Sequence, residues 1–118
     1  MTGRTGFDRL TRQLVAALEA HLATGAAPEV PEAGRLLWRM FLELHATRTS
    51  NGYAPDPLSF GEITSWARAM GWPLEPRHVA TLRAMDAAWM GARASSSGAG
   101  GRRIAGNLTP EAFDAWLT

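Results

Sequence analysis

The apolar residues of this chain recur in steps of three and four, and period-2 alternation of β-branched residues is missing. That spacing lines them along one side of an α-helix, whereas a half-buried strand needs strict alternation. Isoleucine and valine, which favour strands, are scarce. The pattern predicts an all-α fold, a small helical bundle of about four helices. At 118 residues the chain has room for one small domain. Its 46% hydrophobic content is enough for a core and more than a wholly disordered chain carries.

The first helix is expected from Asp8 to Ala23, with Phe7, Leu10, Leu14, Leu18 and Leu22 as a narrow apolar stripe. Thr24, Gly25 and Pro28 supply its stop. Such a stripe is marginal on an isolated helix, so it has to dock on a body or on a partner. A second helix opens at Pro31 or Glu32 and ends near Thr47. Its buried face is read as Leu36, Leu37, Met40, Phe41 and Leu44, with Trp38 on the flank. The polar stretch from Arg48 to Pro57 contains Asn51-Gly52 and two prolines, the marks of an ordered, bent loop.

A third helix has the best-marked start. Ser59 and Glu62 have capping-box spacing, and Leu58 can staple onto Ile63. Its apolar positions are Phe60, Ile63, Trp66, Ala67 and Met70, and Gly71 provides a left-handed stop. A fourth helix is expected from Pro76 to about Ala92, with Val79, Leu82, Met85, Ala88 and Trp89 facing inward. Residues 1–91 thus form a helical domain. Of the 16 residues in 92–107, 11 are Gly, Ala or Ser, a composition that reads as a flexible tether. Residues 108–118 form a short docking helix with Phe113, Trp116 and Leu117 on one face, aimed either at the body or at another protein.

Several chemistries are excluded by composition. All 12 basic residues are arginine, so no lysine is present to act as a Schiff base, general base or phosphate-loop residue. There is no cysteine for thiol catalysis, disulfides or zinc ligation. His21, His45 and His78 have no partner at metal-binding spacing. No nucleophile elbow occurs, and the carboxylates are dispersed. The chain is therefore read as non-enzymatic, with no catalytic residue, metal or cofactor. No segment has the roughly 18–20 apolar residues of a membrane span. Met1–Leu10 carries Arg4, Asp8 and Arg9 and is not followed by the clean apolar core of a signal peptide, so a cytoplasmic protein is expected. Five tryptophans exceed what a small bundle readily houses, which places one or two at a surface and favours binding over catalysis.

Nucleic acid is the first alternative. Glu62–Leu82 can be read as a helix-turn-helix offering Arg77, His78, Thr81 and Arg83 to a major groove. Residues 59–93, however, set four arginines against three acids, a net of +1, and the whole chain is also at +1. Phosphate neutralisation supplies most affinity for nucleic acid, and little is visible here.

The central segment carries a recognisable string. Leu37-Trp38-Arg39-Met40-Phe41-Leu42-Glu43-Leu44 is followed by Arg48-Thr49-Ser50-Asn51-Gly52-Tyr53 and by Pro57-Leu58-Ser59-Phe60-Gly61-Glu62-Ile63. Trp66-Ala67-Arg68, Gly71, Leu74-Glu75-Pro76 and Leu82-Arg83-Ala84-Met85-Asp86-Ala87-Ala88-Trp89 complete it. Over residues 36–90 this resembles the tail assembly chaperones of tailed phages and prophages, encoded just before the tape-measure gene. The resemblance implies a chaperone or adaptor that binds the tape-measure protein during tail morphogenesis in the bacterial host cell. Under the resemblance the Arg48–Pro57 loop would be a structural clamp, or a second contact with tail-tube protein. The contacting residues would be Phe7, Leu10, Leu14, Leu18, Tyr53, Phe113, Trp116 and Leu117. A homo-oligomer, and a minor structural component of the finished tail, stay open.

Overall fold

The computed structural model describes residues 2–50 and 52–98. Four α-helices account for most of them: α1 (Thr2–Thr24), α2 (Arg35–Ala46), α3 (Phe60–Met70) and α4 (Pro76–Gly98). A single 3-10 turn, Glu32–Gly34, leads into α2. Among the described residues there is no strand, only an isolated bridge between Ser50 and Pro55. The all-α expectation holds.

α1 begins six residues earlier than its sequence signals suggest. Phe7 meets His78 edge-on, with ring centroids 5.5 Å apart, and the Arg77 guanidinium lies over the Phe7 ring at 5.1 Å. Contact with the start of α4 thus holds the first turns of α1 in place, and Asp8 sits inside the helix. At the other end Gly25 takes φ 77° and donates its N–H to the His21 carbonyl at 2.8 Å, closing the helix as expected. Thr11 and Thr81 share a hydroxyl–hydroxyl bond of 2.7 Å. With Phe7 beside His78 and Thr11 beside Thr81, α1 and α4 run parallel, packed along their lengths.

α2 is the central element. Leu37, Trp38, Met40, Phe41, Leu42 and Leu44 are all buried, so its apolar arc is far wider than one stripe. The arc is centred near Phe41, which corrects two assignments. Trp38 is fully buried and not on the flank, whereas Leu36, read as buried, lies beyond the edge of the arc and is 50% exposed. The approach to α2 is tight. A Cβ on Gly34 would come within 2.7 Å of Leu14 Cδ2, in the core.

α3 has the cap its sequence announces. Ser59 Oγ accepts from the Glu62 N–H at 3.0 Å and Glu62 Oε1 accepts from the Ser59 N–H at 2.9 Å. Leu58 and Ile63 are buried, and Gly71 ends the helix at φ 79°. Only Ile63, Ala67 and half-buried Trp66 turn inward. Phe60 and Met70, read as apolar-face residues, are more than half exposed, because α3 is packed on one side only.

α4 buries Val79, Leu82 and Met85 with Ala88 and Trp89 against the same core, as expected. It continues to Gly98, so residues 92–98 extend the helix and do not begin a tether. Ala92 packs on the core and alanine is the best helix former, which carries the helix past the predicted end. Residues 99–118, including Phe113, Trp116 and Leu117, lie outside the described residues.

Candidate functional site

The segment between α2 and α3 is polar, yet it is tied down at both ends. Thr47 closes α2 by donating its N–H and hydroxyl to the Leu44 carbonyl, at 3.0 and 2.7 Å. The chain then turns outward, and Arg48 reaches back beneath it. Nη2 of Arg48 lies 2.5 Å from Asp86 Oδ1, with only 5% of either side chain exposed. Nη1 donates to the Asp56 carbonyl at 2.8 Å and Nε donates to His45 Nδ1 at 3.1 Å. The guanidinium carbon sits 4.3 Å from the centre of the Trp89 ring. Asp86 uses its second oxygen as well, accepting the Leu58 N–H at 2.9 Å.

This arrangement solves a desolvation problem. A lone buried guanidinium or carboxylate is costly, and here each charge has its opposite plus further hydrogen bonds. One ion pair thereby binds three things: the end of α2, the far end of the loop, and the middle of α4. His45 completes the cluster. Its ring stacks 5.9 Å from Phe41 and meets Trp89 edge-on at 4.6 Å. Burial and the neighbouring Arg48 charge lower its pKa to about 4, against a weaker opposing pull from Asp86. It is neutral at pH 7, which leaves Nδ1 able to accept from Arg48.

Beyond the anchor the loop braces itself. The Asp56 N–H donates to the Thr49 carbonyl and the Thr49 hydroxyl to Asp56 Oδ2, both at 2.8 Å. Ser50 donates to the Ala54 carbonyl and accepts from the Gly52 N–H, at 3.0 and 3.2 Å. Gly52 takes φ 98°, a conformation open to glycine at little cost. The ordered, bent loop read from the sequence is what forms. At its tip Tyr53 is 95% exposed.

The other sequence-predicted contact residues fall elsewhere. Leu14 and Leu18 have no exposed surface, and Phe7 and Leu10 pack half-buried against the core. α4 and the turn before α2 cover Leu14 and Leu18 fully and Phe7 and Leu10 in part. In the sequence Arg48 and Asp86 stand in separate motifs, and the fold joins them. The family string holds both residues, one in its loop and one in its last helix, without pairing them. Among the described residues no three His, Asp or Glu side chains converge on a metal position. Of the four side chains in the recognition-helix alternative, Arg77 and Arg83 are exposed and the other two are engaged within the fold. Thr81 is buried, donating to the Arg77 carbonyl at 3.0 Å, and His78 is engaged with Phe7.

Fold and site together define a small all-α scaffold that holds a braced loop outside its core. A family model of phage tail assembly chaperones matches residues 15–91, which span α1 from its second half through the hub to Trp89 and beyond. The chain belongs to the phage tail assembly chaperone family, and its role lies in tail assembly. No curated protein and no solved structure matches the chain. No helix among the described residues is long and apolar enough to cross a membrane.

Proposed function

We infer that this protein binds the tape-measure protein during tail assembly, as a chaperone that acts by contact alone in the cytoplasm of the bacterial host. The observation that carries the reading is the loop: a buried ion pair holds Arg48–Pro57 outside the core with Tyr53 at its tip. A loop ordered before binding loses little entropy on contact, and tyrosine gives a large amphipathic surface for few rotatable bonds. The stripe on α1 takes no part in this reading, because it is already covered. Weak contacts repeated along a long helical partner would cover its apolar faces and still allow release.

The test is co-expression with the tape-measure-like protein of the same genome, followed by size-exclusion chromatography with light scattering. Several copies should co-elute per partner, and the partner should be insoluble when this chain is omitted. Tyr53→Ala should lower the number of copies bound while leaving helical content unchanged. A partner that is soluble alone, with this chain eluting separately, overturns the reading. Detection of the chain in purified particles would make it a structural component of the tail. The same column run without partner gives the chain's own oligomeric state.

A further inference from the structure

Away from the hub, the second half of α1 borders a groove of about 650 Å³. The stretch from Ala26 to Pro31 forms its opposite wall, and short side chains line it: Ala16, Ala17, Ala20, Ala27, Pro28 and Val30. We propose that residues 108–118 of this same chain fill the groove.

Four observations converge on that occupant. The first is size: the groove follows α1 from Gln13 to Thr24, about 17 Å of helix axis, and a helix over 109–118 is about 15 Å long. The second is shape. Phe113, Trp116 and Leu117 are large and share one helical face, and the alanine-lined floor leaves depth for large side chains. The third is reach. Since α1 and α4 run parallel with Thr11 beside Thr81, Gly98 at the end of α4 falls near the end of α1 where the groove lies. The nine residues 99–107 can span up to roughly 30 Å, and the helix to be rounded is only about 10–12 Å across.

The fourth is charge. The segment carries Glu111 and Asp114 and no basic residue. Exposed Arg9 and Arg12 stand one turn before Gln13 and Ala16, on the groove side of α1. Glu29 lies in the lining at the other end, so the acidic side chains settle toward the arginines. A second copy of this chain could offer the same face, but an intramolecular segment meets the groove at a far higher effective concentration.

The absence of cysteine makes the test clean. Full-length chain carrying Ala20→Cys with Ala112→Cys is compared with Ala80→Cys plus Ala112→Cys under mild oxidation, at several dilutions. Ala20 lines the groove, whereas Ala80 is exposed on α4 away from it, so neither change disturbs the core. The Ala20 pair should close an intramolecular disulfide at least about tenfold faster than the Ala80 pair, as a docked segment requires. Adding Phe113→Ser and Trp116→Ser should bring the Ala20 pair down to the Ala80 rate. Equal rates for the two pairs, or a fast rate that survives loss of both aromatic residues, overturn the proposal. A linked dimer whose yield rises with concentration also overturns it and assigns the groove to a second copy. None of these readouts involves a tail protein, so they stand apart from the tape-measure reading.

Discussion

The core beneath α1 and the hub beneath the loop are buried by opposite means. Under α1, Leu14, Leu18, Phe41, Leu82 and Met85 lose water through apolar contact alone. Under the loop, the side chains of Arg48 and Asp86 lose nearly as much water, with 5% of each exposed, and are kept there by each other. Apolar burial is tolerant of direction, because any neighbour of suitable size will serve. The hub is directional: its bonds fix which carbonyl, which amide and which ring stand where. The first kind of burial holds the helices together. The second sets the position of a loop that buries no large apolar side chain of its own.

The sharpest break of this contrast is Asp86→Ala. It strands Arg48 in the interior and should cost about 3–5 kcal/mol by urea unfolding, with loss of the loop's amide protection. The double change Arg48→Met with Asp86→Leu should recover much of the stability and leave the loop unprotected, separating the two roles of the pair. Leu82→Ala tests the other side. It should cost about 2–5 kcal/mol in the urea midpoint, while amide exchange in the loop stays as it is under native conditions.

Acid sharpens the comparison further. The His45 pKa is about 4 in the folded chain against 6.5 unfolded, so between these values the unfolded chain binds more protons. The contribution of neutral His45 is whole above pH 6.5 and is lost as pH falls toward 4. The loss should be about 1–2 kcal/mol, less than the full shift implies because the ring is partly solvated. His45→Gln should flatten that slope in a pH series of urea midpoints. Gly34→Ala should cost about 1–2 kcal/mol through overpacking against Leu14, read as a drop in thermal midpoint with the hub's exchange unchanged. Tyr53→Ala, at the exposed tip, should move stability by less than about 0.5 kcal/mol in the same measurement.

The same contrast explains what could be read in advance. Helical spacing found all four helices, and local chemistry found the Ser59–Glu62 box and the stops at Gly25 and Gly71, because those signals act within one turn. It misplaced Trp38 and Leu36, since a helix surrounded on most sides has no single stripe to reveal its rotation. It saw the α1 stripe correctly but could not know what covered it: an apolar face looks alike whether its cover is in the same chain or another. The hub was the least legible part. Arg48 and Asp86 are 38 residues apart, and nothing in the spacing of either motif points to the other.

The parallel packing of α1 on α4 has a consequence in time. Thr11 and Thr81 are separated by 70 residues of chain, and such remote pairings form late and slowly. On a ribosome adding about 5–20 residues per second, α1 emerges seconds before the helix that covers most of its length. Throughout that interval its leucines face water in the nascent chain. A product released before α4 is complete should be a substrate for cellular holdases and proteases, so this helper of assembly itself passes through a stage that needs shelter.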